Sequence, residues 1–298
     1  MEIISSLKKK ERYPLEINAY PYLQDHYFQG QVILPAVEAL IVMAKVATAN
    51  FPQVNVCHQR QARFSRFLSI DPQEKIRKVF ADIVESANGS LSVAISTMAK
   101  AKTGTISRML EHAYVEFAVS PVEEYHAIPL PNFKHLGGKY FNVPAAAIYR
   151  DLVPFGKVYQ NIVGELSLSP EGAVAHLYGG EGEANDDLIG SPFPLDATMH
   201  AACSWGQRYA GIVAFPVGFA ERIIYRKTKK GTEYIGRIIP LDVSREPLIF
   251  DAFIYDLDGI IHESVSGIQM RDVSQGRLHP PDWIKADLQE TLSVNGEA

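Results

Sequence analysis

The sequence predicts an α+β protein built twice over, each time an antiparallel sheet wrapped around one central helix. Three observations predict it. A helix running on from Pro35 is apolar around most of its circumference. Several strand-like runs follow it between 61 and 119. The same order, a proline-flanked apolar helix and then strands, returns between 191 and 273. A helix with so little polar surface has to be covered on all sides, and a sheet curled around it does this.

Taken in order, the chain opens on LKKKER, a short charge run that reads as a solvated tail. No apolar stretch follows it, so no signal peptide is expected. Residues 20–34 form a polar, aromatic loop that tightens at Gly30. Pro35 suits the first helical turn, where its missing N–H costs nothing. Leu34, Val37, Ile41 and Ala44 then recur at helical spacing, and Leu40, Met43 and Val46 widen the stripe. Glu38 and Lys45 interrupt it, and it is too short for a membrane span.

Runs at 61–70, 74–86, 90–102 and 107–119 alternate or are rich in β-branched residues, with turns at Asn88-Gly89 and Thr103-Gly104. Residues 120–150, rich in Pro, Gly and aromatics, read as a long surface connection. A short helix (144–152), a strand near 158–168 and another at 173–178 come next. GGEGEANDD is a plain acidic loop, since no Lys follows it and no helix opens there. The second apolar helix (191–211) carries Leu195, Met199 and Ala202 on one side. Strands at 217–227, 233–244, 246–259 and 260–273 complete the pattern, with a hairpin turn at Asp258-Gly259. RFSRFLSI and FAERIIYR occupy matching places, so a repeat of roughly 150 residues is the simplest account. A helix wrapped by a sheet, twice, is the double hot-dog fold. The expected division is 1–120 for the first half, 121–150 for the connection, 151–285 for the second half and 286–298 for a tail or linker.

Composition narrows the function. With 298 residues, a net charge of −5, 47% hydrophobic and 21% charged residues, this is an ordinary soluble globular chain. No basic stripe marks a nucleic-acid footprint. Cys57 and Cys203 lie far apart with no C-x-x-C, which fits reduced thiols of a cytoplasmic protein.

Two polar residues stand out at the heads of the matched helices. His26 lies just upstream of the first, near the positive end of its dipole, an unusual place for an imidazole unless something negative binds there. Asp196 lies in the first turn of the second, and His200 is one turn on, on the same face. Either alone reads as a hydrogen-bonded loop residue or a helix cap; together, at matched heads, they read as chemistry. The other histidines show no ligand spacing, so no metal is expected. Cys203, one turn beyond Met199, reads as packing.

His26-Tyr-Phe-Gln-Gly30 with Leu34-Pro35, and Asp196-Ala-Thr-Met-His200, in this order, resemble the dehydratase domains of polyketide synthases. Those domains carry H-x-x-x-G-x-x-x-x-P in the first half and D-x-x-x-Q/H in the second, and both patterns are complete here. Phe155-Gly156-Lys157-Val158-Tyr159-Gln160 looks like a degraded Y-G-P-x-F-Q segment, and FPVGFAERI (215–223) looks like the L-P-x-x-x-E-R strand. The resemblance spans roughly 13–275. Lys157 replaces a proline in a motif that shapes the tunnel, so the departure bears on substrate fit.

The resemblance implies loss of water from a 3-hydroxyacyl thioester carried on the phosphopantetheine arm of an acyl carrier protein, in polyketide or fatty-acid-like synthesis, with no bound cofactor. His26 would be the base, since a neutral imidazole suits working pH. Asp196 would be the acid, its protonated form favoured by an apolar cleft. The Gly30 amide would meet the thioester carbonyl, His200 would orient Asp196, and Gln160 or Tyr159 would close a wall of the substrate site, which also includes Pro35. The acyl carrier protein is the expected partner, with a homodimer or a larger synthase as the setting. Two readings compete: a product-template-type aldol cyclase, which needs a wide chamber, and a non-catalytic acyl-binding domain, in which His26 and Asp196 need not face one cavity.

Overall fold

The structure, a computed structural model, describes residues 9–86, 89–100, 107–118, 133–181 and 188–286. Its first half runs β1 (Lys9–Asn18), a 3₁₀ turn (Pro21–Asp25), the small hairpin β2 (Tyr27–Phe28) and β3 (Gln31–Val32), α1 (Ala36–Asn50), β4 (Asn55–Phe64), β5 (Ile76–Glu85), β6 (Leu91–Lys100) and β7 (Ser107–Ala118). Then come β8 (Phe141–Pro144), α2 (Ala145–Ala147) with a π turn (Ile148–Leu152), a 3₁₀ turn (Lys157–Tyr159), β9 (Ile162–Ser169) and β10 (Gly172–Tyr178). After these follow α3 (Phe193–Trp205) with its own π turn (Gly206–Ala210), β11 (Phe215–Ile224), β12 (Glu233–Asp242), β13 (Leu248–Tyr255) and β14 (Ile261–Arg271).

Twelve of these strands make one antiparallel sheet, in the order β1-β5-β6-β7-β4-β11-β14-β13-β12-β10-β9-β8. The repeat is written in that order. The five sheet strands of the first half lie first, third, fourth, fifth, second; β10 to β14 lie in the same sequence, reversed. The two second strands, β4 and β11, pair with each other, with Arg60 opposite Glu221 and Gln59 opposite Arg222. This is a double hot-dog. Each half curls around its own helix: Leu40, Met43 and Ala44 of α1 are fully buried, and every residue of α3 is buried.

The seam between the halves carries a buried ion pair. Arg222 is 2% exposed and donates from Nε and Nη2 to Glu263 Oε2 at 2.8 and 2.7 Å. Its Nη1 reaches Gln59 Oε1 of the first half at 3.3 Å. Removing one partner of such a buried pair costs about 3–5 kcal/mol. His58 and Glu221 add a pair at 2.8 Å.

Three expectations need correction. The charge run is not a tail from Lys9 onward: it opens β1, which pairs with β5 along its whole length. An edge strand with one wet face carries charges readily, so it looks like a solvated run. The strand placed at 61–70 is Asn55–Phe64. Residues beyond it leave the sheet to pair with the chain entering α1, Leu34 N–H with the Leu68 carbonyl and Ile70 N–H with the Val32 carbonyl. The strand near 158–168 begins at Ile162, because 157–159 coil into a 3₁₀ turn. The turn at Thr103-Gly104, Asn88 of the Asn88-Gly89 turn, residues 121–132 of the connection, 182–187 of the acidic loop and 287–298 lie outside the described residues.

Candidate active site

His26 is gripped from two sides. Its N–H closes the 3₁₀ turn on the Leu23 carbonyl at 3.0 Å, and its carbonyl accepts Ile33 N–H at 3.0 Å. The chain can return from His26 to Ile33 so quickly because Gln29 and Gly30 both take left-handed φ, +50° and +77°, the geometry of a tight two-residue hairpin. The Ile33 carbonyl then sits 2.9 Å from His26 Nδ1. A carbonyl only accepts, so Nδ1 carries the proton and Nε2 presents its lone pair. Burial lowers the pKa of His26, and the charge of Asp196 works the other way. Burial thus favours the neutral ring, and the Ile33 carbonyl favours the tautomer that leaves Nε2 unprotonated.

Asp196 enters from the other half, in the first turn of α3 and 6% exposed. Its Oδ2 lies 3.1 Å from His200 Nε2, yet neither buried atom makes a hydrogen bond of good geometry. Unsatisfied buried polar atoms cost about 1–3 kcal/mol each, and a ligand hydroxyl on the cavity side within reach of both would relieve that cost. On the far side of the ring, the Tyr149 hydroxyl approaches His200 Nδ1 at 3.5 Å and accepts Ile162 N–H at 2.8 Å.

One ring bridges the two halves of the site. Phe155 lies 4.3 Å from His26 and 5.2 Å from His200, centroid to centroid. His26, Asp196, His200, Phe155 and Gly30 all line one cavity of about 900 Å³, together with Ala36 and Ala39 of α1 and Met199 and Cys203 of α3. Arg63, Arg66, Phe67, Arg271 and His279 are among its exposed lining residues and mark the mouth; Gly30 is exposed as well. Burial pushes the Cys203 thiol up to about 11, so it packs and does not react. His112 also lines the wall, but Phe67 and Thr97 occupy both its nitrogens.

Four predicted residues lie elsewhere. Pro35 caps α1, its carbonyl accepting Ala39 N–H at 3.0 Å, and is not part of the cavity lining. Gln160 is exposed; its amide donates to the Phe155 carbonyl at 2.8 Å, so it holds the wall from behind. Tyr159 is fully buried, edge-on to His26 at 5.2 Å, and packs beneath the site. Lys157 is exposed, outside the lining as well, because the 3₁₀ turn points it to solvent. What closes the wall is Phe155, at the tyrosine position of the motif.

Sequence reading missed Phe155, Tyr149, the Ile33 carbonyl and a buried carboxyl, Glu38. Glu38 was read only as an interruption of α1. A single acid on an otherwise apolar helix face was the available signal. Nothing marked a backbone carbonyl.

No protein-family model matches the chain, and no curated protein does. Solved structures do. The dehydratase domain from the CurF module of the curacin polyketide synthase superposes with a TM-score of 0.71 at 19% identity, over 88% of this chain and 93% of that one. The dehydratase domain of a mycocerosic acid synthase-like polyketide synthase gives 0.68 at 16% identity, over 88% and 90%. A bifunctional dehydratase-cyclase domain from ambruticin biosynthesis gives 0.63 at 14%, over 88% and 91%. At such identities the likeness is one of fold, and in its fold the chain is a double hot-dog of the kind seen in polyketide synthase dehydratase domains.

Proposed function

We propose that this protein removes water from a 3-hydroxyacyl thioester held on the phosphopantetheine arm of an acyl carrier protein, in polyketide or fatty-acid-like synthesis. One observation carries the reading. A neutral imidazole and a carboxyl, one from each half, line the same cavity. His26 Nε2 takes the proton from C2, and the electron pair forms the C2–C3 double bond. Asp196 gives its proton to the C3 hydroxyl, which leaves as water. The N–H of Gly30, on the cavity wall, is the donor assigned to the thioester oxygen as it gains charge. The sum is one water lost, with no change in oxidation state, so the reaction calls for no redox cofactor.

The mouth supports a carrier-borne substrate. Arg63, Arg66 and Arg271 are exposed there in a chain of net charge −5, and guanidinium groups suit a phosphate. Phe28, Phe67 and Phe215 form an aromatic collar with centroids 4.9–6.4 Å apart, suited to an apolar arm or chain. The test is incubation with a 3-hydroxyacyl thioester on an acyl carrier protein, followed by mass spectrometry. Loss of one water to an enoyl product is expected. Intact substrate across a range of chain lengths, or a ring-closed product of unchanged oxygen count, would overturn the reading.

A further inference from the structure

His26 is preceded by Asp25, and Asp25 touches the second half at two points. Its carbonyl accepts Gly156 N–H at 2.7 Å, and its Oδ2 accepts Val158 N–H at 2.8 Å. The approach is so close that a Cβ on Gly156 would lie 2.4–2.6 Å from Asp25 Cγ, Oδ1 and Cβ. The clamp therefore needs an acceptor at 25 and no side chain at 156. On either side of the two clamped amides stand Phe155 and Tyr159, the rings that touch His26 at 4.3 and 5.2 Å. Phe155 in turn meets His200, which sits 3.1 Å from Asp196. Fixing Asp25 to the 156–158 backbone thus sets the distance between a base on one half and an acid on the other.

We infer that Asp25 is a positioning residue, acting through the 156–158 backbone to hold His26 in register with Asp196. Two further contacts restrain the same turn, the Tyr22 hydroxyl donating to Glu38 at 3.1 Å and His26 Nδ1 on Ile33. Both tie it to its own half. The rings of Tyr22 and His26 pack on the second half, and among the described residues Asp25 supplies the hydrogen bonds that tie the turn to it. Displacements of about 1 Å in a reacting pair cost on the order of 10²-fold in rate, whereas substrate held by the apolar walls should bind much as before.

This inference rests on the dehydratase reading for its rate measurements and stands without it for a second readout. Asp25→Ala, Asp25→Asn, Gly156→Ala and the double variant Asp25→Ala/Gly156→Ala are compared with the wild type in two ways. The first is turnover of a short 3-hydroxyacyl thioester. The second is the NMR titration of the His26 imidazole, assigned by its absence in His26→Ala. Asp196, His200 and Tyr159 face that ring, and all three stay in place in these variants. Asp25→Ala and Gly156→Ala should each lose about 10- to 100-fold in kcat with KM within about twofold. The double variant should be no worse than the poorer single, because both break one contact. Asp25→Asn keeps an acceptor for Val158 and should stay within about threefold of wild type. The His26 titration should move up toward its ordinary value in the two Ala variants and not in Asp25→Asn. Wild-type kcat and an unmoved titration in Asp25→Ala would overturn the inference, as would Asp25→Asn failing as badly as Asp25→Ala, or a loss lying wholly in KM. A wild type that turns over no thioester would sink the dehydratase reading alone, since the titration still reads the clamp.

Discussion

At the head of α1 the polar atoms near the site are matched. Glu38 accepts the Tyr22 hydroxyl at 3.1 Å, and His26 Nδ1 has the Ile33 carbonyl at 2.9 Å. At the head of α3, Asp196 Oδ2 and His200 Nε2 face each other at 3.1 Å without a well-formed bond. The repeat puts these two heads in equivalent places, and both carry an acid in the first turn. The first is the more closed: Glu38 and Nδ1 of His26 are both held by groups of their own half. The second is open at the point where a proton would change hands. Duplication has left one frame with two furnishings, and the chemistry assigned to each follows from which polar atoms lack a partner.

The sharpest way to break this contrast is to remove the two reacting groups. His26→Ala and Asp196→Asn should each lower kcat by about 10²–10⁴-fold, with circular dichroism spectra like that of the wild type. The pair removed together should be little worse than either alone. Near-normal water loss in either single variant, with unchanged KM, would refute the assignment.

Glu38 tests the closed head. Burial raises its pKa from 4.5 to about 7, with the Tyr22 hydrogen bond pulling the other way and Asp196 adding to the rise. The folded state therefore holds this proton more tightly than the unfolded chain. The stability this gives is fully present below 4.5 and lost as pH rises through about 7. Glu38→Gln keeps an acceptor for Tyr22 and never ionises. It should match the wild type at low pH and exceed it by up to about 3 kcal/mol above neutrality. Chemical denaturation of the two proteins at several pH values decides this, and curves that stay parallel would mean Glu38 is not the buried titrating acid.

A milder effect concerns the base. With His26 as the proposed base, the neutral imidazole would be the active form, and activity should be lost as pH falls through its folded pKa. Because burial lowers that pKa, the acidic limb of kcat/KM should fall below the ordinary histidine value of about 6.5. A limb clearly above it would mean that His26 is not held as the structure has it. The smallest expected change is Lys157→Ala. The side chain is exposed and away from the cavity lining, so stability and kcat/KM should shift by no more than about twofold. A loss comparable to that of His26→Ala would place Lys157 in the chemistry.

Much of this was legible in the chain because it is carried by side-chain pattern. The all-round apolar character of α1 and α3 demanded a wrapping sheet, and the repeat of helix and strands told that there were two. His26, Asp196 and His200 were legible because their positions relative to the helix starts are short-range. What stayed hidden depends on backbone and on distant partners. The Ile33 carbonyl that sets the tautomer has no residue type of its own. Asp25 acts on the amides of Gly156 and Val158, more than a hundred residues away. Tyr159 and Gln160 were named for the wall, but a 3₁₀ turn rotates the segment so that Phe155 faces the cavity instead. β1 was lost because an edge strand with alternating charge looks the same as a solvated run.

The pairing of β4 with β11 has one more consequence. Each strand is ten residues long, and in a half standing alone its row of N–H and C=O groups would be an open template for any other strand. A severed first half would lose Asp25's partners and the Arg222 guanidinium that donates to Gln59 at once, while offering a sticky margin to its neighbours. The joint that brings the imidazole to the carboxyl is thus also what shields each half from aggregation. Insolubility on separation would be the mark of a duplicated protein whose copies can no longer live apart.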